Sequence, residues 1–471
     1  MNTCQVPTPR NYVIQMLDQI RYKKNVFGKR VLENSCGQGN ILLEIVRRYI
    51  ADARRNHISD EELVRGIERD IVAYEVDEGE IDICVRRLNE LIDKAGLPQV
   101  NWNINNKDFL RQPSEAYDYI IGNPPYITYH DLDVSEREYL KENFVSCEKG
   151  RFDYSYAFIE ASIRSLRENG KLIYLIPYSV VKNKFANRLR EYMTPYITAI
   201  YDYTGIKIFP DATTSSVIIR MENRDNKRYI EYYDKCDNTK RKILRTRLNG
   251  KWKFTDDRRV GCQRFGDYFE VCNSVATLCN TAYILQQYTE KERYYCINGM
   301  EIEKQIVYPA ISMKSFNQRQ KDTSKNPLIL FPYKVKAGNV AHYDRDEFEK
   351  QYPLATIYLK SYESELKERK KDEKALWFEY GRSQAIGKVF GKKLVMSMVV
   401  TKSVSICEAA ENVIPYAGYF VKCKNITTMT LEYAKIILQS RDFLEYVKAY
   451  GTPTTPTSYR ISANDIKEYK F

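Results

Sequence analysis

Residues 1–221 alternate short apolar runs with stretches of helical periodicity, and this alternation restricts the fold more than any other feature of the chain. Arg30–Glu33, Ile71–Glu75, Tyr117–Gly122 and Gly170–Pro177 read as short buried strands. Between them, Asn40–Tyr49 places Ile41, Leu42, Ile45, Val46 and Tyr49 on one helical face, and Glu78–Ala95 and Phe158–Glu168 also read as helices. Strands joined through helices pair in parallel, because returning in the same direction needs a crossover of about a dozen residues or more. The expected class is α/β, a mostly parallel sheet with helices on both faces, closed by Val217–Met221 as its last strand.

From about Glu222 the alternation stops, and segments such as 225–247 and 251–264 are basic, rich in tyrosine and irregular. A chain of 471 residues exceeds the roughly 250–300 at which single cores stop growing. Two domains are therefore expected, 1–225 and 226–471. Charge divides the same way: residues 1–220 hold 30 Lys+Arg against 31 Asp+Glu, and residues 221–471 hold 44 against 31. A second half at +13 calls for an anionic partner. The run Lys367–Lys374 continues a helical pattern from Leu354 and reads as a solvated helix end.

The start of the chain has no apolar run of secretory length, and no stretch approaches the ~18 residues that cross a bilayer. A soluble cytoplasmic protein without a membrane partner is expected. Eleven cysteines without a Cys-x-x-Cys pair, and three histidines, predict neither a disulfide framework nor a metal site.

Glu33–Asn40 lies between a strand and a helix, and its Gly37 and Gly39 let backbone approach a ligand at the helix N-terminus. Such a loop fits a nucleotide-like cofactor. Glu75, closing the next strand, is placed to accept from ribose hydroxyls. It follows Gly39 by 36 residues, whereas dinucleotide folds use about 20. The full Gly-x-Gly-x-x-Gly pattern is also absent, so the ligand is not expected to be a dinucleotide.

The most informative residues are Asn123-Pro124-Pro125-Tyr126, directly after a strand. Two prolines fix the backbone and remove two donors, leaving the Asn123 side-chain oxygen and the backbone carbonyls as an acceptor-rich corner beside the flat face of Tyr126. An exocyclic amine on an aromatic ring suits this corner: its hydrogens meet acceptors while the ring stacks.

These residues resemble the S-adenosylmethionine-dependent amino-methyltransferases, and specifically the gamma-class DNA adenine-N6 methyltransferases of the TaqI type. In that class the cofactor loop precedes the catalytic motif and the target-recognition domain follows both. Here 84 positions separate Gly39 from Asn123, too few for a recognition domain, while the long basic segment follows. Val6–Pro9, with Thr8, resembles the motif over the cofactor's methionine part, and Glu33 stands where the class has an acid. Asn34-Ser35-Cys36 departs from the commoner Pro-Ala-Cys continuation. Asp108 and Phe109 resemble the residues that take the cofactor's adenine amine and ring, and Phe158 resembles a second aromatic there. Phe209, before the segment 214–219, resembles the aromatic that stacks on the extruded base.

The resemblance implies a Rossmann-like methyltransferase domain with a seven-stranded sheet, followed by an α+β target-recognition domain. It further implies methyl transfer to the N6 amine of a flipped-out adenine, with double-stranded DNA as partner and with restriction-modification or defence as context. The site residues it implies are Asn123, Pro124, Tyr126 and Phe209 for catalysis. For the cofactor they are Thr8, Glu33, Gly37, Gly39, Glu75, Asp108, Phe109, Asn123 and Phe158. A cognate endonuclease, if part of the system, is expected on a separate chain, since no Pro-Asp…(Asp/Glu)-x-Lys cluster is found. Two other readings fit Asn-Pro-Pro-Tyr: methylation of RNA or of a protein glutamine, and a catalytically silent DNA-binding subunit.

In the second half, Leu330–Tyr333, Trp377–Gln384 and Gly451–Tyr459 resemble segments of recognition domains. Trp377 and Phe378 read as packing aromatics, and Arg382 as facing DNA.

Overall fold

Continuously apolar strands require cover on both faces, and the computed structural model of the chain provides it around one large sheet. It describes residues 7–209, 215–224, 227–254, 263–319, 327–336, 338–424, 429–455 and 457–471. The chain divides into two compact units, Met1–Thr255 with Thr452–Thr457, and Asp256–Gly451 with Ser458–Phe471.

In the first unit β1 (Val31–Glu33), β2 (Ile71–Glu75), β3 (Asn103–Asn106), β4 (Tyr117–Gly122) and β5 (Leu166–Pro177) run parallel. β6 (Ile197–Asp202) is followed by β7 (Ser216–Glu222), which inserts antiparallel between β5 and β6. β8 (Tyr229–Asp234) pairs parallel to β6, and β9 (Thr239–Leu244) completes an antiparallel hairpin with β8. The spatial order is β3-β2-β1-β4-β5-β7-β6-β8-β9.

Alternate strand residues feed two cores, as the period of two dictates. Leu32, Ile120 and Leu172 belong to one core, and Val31, Ile121 and Ile173 to the other. The helices α1 (Arg10–Gln19), α2 (Asn40–Arg55), α3 (Asp60–Asp70) and α4 (Glu78–Ala95) contribute to the second core, and α5 (Val134–Asn143) and α6 (Ser155–Arg164) to the first. Asp77 caps α4 by accepting from the Glu80 N–H, and Gly96 ends it at φ 68°.

The expected α/β class is borne out, with two differences in the sheet. Val217–Met221 lies within β7, which is interior rather than last. Among the described residues the sheet has nine strands where seven were expected, because the hairpin of β8 and β9 extends it beyond β6. Residues 225 and 226, where the domain boundary was read, lie outside the described residues. The basic segment just after them is part of the first unit.

The second unit is α+β. One antiparallel sheet joins Phe269–Asn273, Tyr419–Cys423, Lys393–Met396 and Ile406–Ala409, and a mixed sheet joins Ile284–Leu285, Leu328–Leu330, Val307–Ile311 and Ile414–Pro415, the last pair in parallel. Phe378 is fully buried and stacks on Phe348 with centroids 4.0 Å apart, and Trp377 donates to Glu349, as packing aromatics do. Arg382 is held by Asp372 at 2.6 Å. The helix preceding the lysine-rich run ends at Glu368, where Arg369 turns inward and donates to four backbone carbonyls. Among the described residues no helix is long and apolar enough to cross a membrane.

Candidate active site

The strand order reverses at β1, whose neighbours are β2 and β4. In open α/β sheets the crevice beyond the strands' carboxyl ends at such a point is where ligands bind. The Glu33–Asn40 loop leaves β1 here and the Asn123–Tyr126 corner leaves β4 beside it.

The loop is tightly braced. Cys36 N–H donates to Tyr74 O at 3.0 Å and Gly39 N–H to Cys36 O at 2.8 Å. Gly37 (φ 47°) donates its N–H to Glu75 Oε2 at 2.9 Å. Gly39 has φ 76° and opens α2, and a Cβ there would lie 2.5 Å from Cys84 Sγ. Both its conformation and its packing therefore require glycine. Arg87 of α4 donates to Gln38 O and to Asn40 Oδ1, fixing the loop from below.

A cavity of about 120 Å³ lies between loop and corner. Of the expected residues, Thr8, Glu33, Gly37, Asn123, Pro124 and Tyr126 line it. Ser35, Gln38 and Asn40 of the expected cofactor loop, not singled out from the sequence, line it as well, as does Glu80, which escaped the sequence reading. Ser35 Oγ donates to Asn123 O at 3.3 Å, tying the two motifs together. Glu80 sits in the first turn of α4; its position after an acid-closed strand was the only available signal.

Glu75 does not line the cavity. Its Oε1 accepts from the N–H groups of Val76 and Asp77 while Oε2 holds Gly37, so it works on the loop from behind. Asp108 caps the turn Phe109–Arg111, accepting from Leu110 N–H at 2.9 Å, and pairs with Arg111 at 3.2 Å. Phe109 and Phe158 lie together with centroids 6.0 Å apart, and Tyr74 at the end of β2 packs on Phe109. Phe209 is not brought to Tyr126: it is 4% exposed within the core on the opposite face of the sheet. Val6, Pro210 and Thr214, which flank these motifs, lie outside the described residues.

Burial alone disfavours the charged form of Glu33, a penalty that a cationic ligand beside it would offset. Glu33 is 2% exposed, its Oε2 has no hydrogen-bond partner, and burial raises its pKa well above the usual carboxylate range. An orphaned buried carboxylate oxygen on a residue that lines a cavity is costly unless it finds a donor. The ammonium and sulfonium of S-adenosylmethionine match this need, with Glu80 adding negative charge at the rim. Among the described residues no cluster of metal-ligating side chains occurs.

Comparison with known proteins narrows the identity of this arrangement. Residues 42–209 match the Eco57I restriction-modification methylase family. The matched segment holds Asp108, Phe109, the Asn123–Tyr126 corner, Phe158 and Phe209. The chain is 26% identical over 312 residues to the type II restriction enzyme and methyltransferase RM.Eco57I of Escherichia coli, an alignment covering 57% of this chain and 31% of that protein. It is 25% identical over 232 residues to the modification methylase CviBIII of Paramecium bursaria Chlorella virus NC1A, covering 49% and 52%. The chain thus spans about a third to a half of the length of these curated relatives. The solved structure of the type IIL restriction-modification enzyme MmeI in complex with DNA shares the fold, with a TM-score of 0.61 at 13% identity, over 98% of this chain and 64% of that one. These matches bear out the resemblance to restriction-modification methyltransferases read from the Asn123–Tyr126 corner.

Proposed function

We propose that the chain is a site-specific DNA methyltransferase that modifies the N6 amine of an adenine rotated out of the duplex, with S-adenosylmethionine as methyl donor. The observation that carries the reading is the meeting of the Glu33–Asn40 loop and the Asn123–Tyr126 corner around one cavity at the reversal of strand order. The first unit would be catalytic and the basic second unit would recognise the target. A modification enzyme of this kind works beside an endonuclease in a restriction-modification or defence system.

Thr8, Glu33, Gly37 and the start of α2 at Gly39 would hold the methionine end of the cofactor, and Glu80 the ribose, while Glu75 braces the loop from behind. Asp108, Phe109 and Phe158 would receive its adenine. When bound, the cofactor supplies a methyl group already activated on a sulfonium. The protein's task is then alignment and polarisation. Asn123 Oδ1 and the Pro124 carbonyl accept the two N–H bonds of the target amine, turn its nitrogen toward tetrahedral geometry and free its lone pair.

Rotating a base out of the stack costs a few kcal/mol. Stacking on Tyr126 offsets roughly 1–3 kcal/mol of this. Phe209 would add a second face after leaving its buried position. Incubation with methyl-labelled cofactor and duplex DNA, followed by nucleoside analysis, tests the reading. Label on N6-methyl-2′-deoxyadenosine supports it; label on cytosine, on RNA or on protein overturns it.

A further inference from the structure

The excess positive charge is not confined to the second unit. Residues 221–255 hold 11 Lys+Arg against 5 Asp+Glu, nearly half of the +13 carried by 221–471. This stretch belongs to the first unit and includes the hairpin of β8 and β9. β9 is the edge strand of the sheet, and its residues Thr239, Lys240, Arg241 and Lys242 are all exposed.

Of the three cations of β9, only Lys240 has an ion-pair partner among the described residues. Glu231 on β8 pairs with Lys240 at 2.7 Å and also faces Arg220 at 3.6 Å. Among the described residues, Arg241 and Lys242 form no ion pair. Charged side chains on an edge strand can serve only to prevent edge-to-edge association. The opposite edge of the same sheet shows that this fold does not need charge for that purpose, because β3 is Asn103-Ile104-Asn105-Asn106. The cations of β9 therefore call for a ligand.

Its form is set by the strand. Lys240 and Lys242 project from one side about 6.7 Å apart, two strand residues, comparable to the step between successive phosphates of a nucleic-acid strand, and Arg241 projects from the other. β8 runs parallel to β6 and, through β7 and β5, in the same direction as β4. The turn from β8 into β9 thus opens on the same edge of the sheet as Asn123.

We propose that β9 is a phosphate-contacting strip by which the first unit itself grips duplex DNA, through Lys240, Arg241 and Lys242. The proposal rests on the DNA-methyltransferase reading and adds a backbone contact outside the recognition unit. Such contacts carry no base information; they set register and contribute salt-dependent affinity.

The test uses the full chain, a short labelled duplex of mixed sequence and a series of NaCl concentrations. The triple variant Lys240→Gln, Arg241→Gln, Lys242→Gln is expected to lower the slope of log affinity against log salt by about 2–3, since each phosphate that a cation no longer neutralises removes about 0.9. Lys240→Arg with Lys242→Arg keeps the charge and should keep the wild-type slope. Cofactor binding by calorimetry verifies that each variant is folded. An unchanged slope in a folded triple variant overturns the proposal while leaving the DNA reading intact. Failure of the wild type to bind duplex DNA overturns both.

Discussion

The Tyr126 hydroxyl reaches both Asn123 Oδ1 and the carbonyl of Leu175 on β5, the latter at 2.6 Å. Tyr126 is thereby more than a flat surface: its hydroxyl ties the carboxamide at the centre of the site to the sheet. Burial holds the phenol well above its ordinary pKa, so it is a donor throughout the working pH range.

Tyr126→Phe keeps the ring and removes the tie. A hydrogen bond of this kind is worth a net ~1 kcal/mol, so kcat should fall about 3–10-fold with little change in KM for DNA. Steady-state kinetics with labelled cofactor checks this; an unchanged kcat would show that the hydroxyl tie contributes nothing and leave Tyr126 with its ring alone.

Gly39→Ala is expected to abolish cofactor binding. The new Cβ meets Cys84 Sγ and the residue keeps φ 76°, a conformation costing L-residues about 1–2 kcal/mol. Adding Cys84→Ala removes the clash and should restore part of the thermal stability. The backbone cost would remain in the double variant, measured by thermal denaturation.

Asp153 precedes α6, and burial pushes its carboxyl up to about 6 despite hydrogen bonds from Ser155. The unfolded chain titrates near 3.9, so the stabilising contribution of the protonated form is complete below ~4 and is lost as pH rises through about 6. Asp153→Asn should therefore melt a few degrees above wild type at pH 8 and draw level at low pH. A constant difference across that range would contradict the account.

Glu33→Gln preserves shape and removes the carboxylate that a bound cation would stabilise. Calorimetry should report cofactor affinity lowered by about 10–100-fold, the loss of a charge-assisted hydrogen bond of about 1.5–3 kcal/mol. Unchanged affinity would move the ammonium site elsewhere.

The parts of the fold that were legible in the sequence are those whose burial is written in apolar runs and caps. β2, β4 and α4 have the ranges read from the sequence, because Ile71–Glu75 and Tyr117–Gly122 are largely buried and α4 is bounded by Asp77 and Gly96. β3 and β9 are edge strands with solvent on much of their surface, so Asn103–Asn106 and Thr239–Leu244 carry no apolar alternation. The site divides likewise. Thr8, Glu33, Gly37, Asn123, Pro124 and Tyr126 share a cavity because their motifs leave adjacent strands. Glu80 was invisible and Glu75 was assigned to the cavity, because which of two acids around the β2–α4 turn faces the ligand depends on backbone hydrogen bonds. Phe209 follows a loop whose path no local pattern dictates.

Adenine methylation by this chain is read directly by expressing it in a host without DNA methylation and sequencing the host DNA for N6-methyladenine. The wild type is predicted to mark adenine within one short recurring sequence, and Asn123→Ala to leave the DNA unmarked. Equal marking by Asn123→Ala, or unmodified adenine in the presence of a wild-type chain that binds its cofactor, would contradict the account.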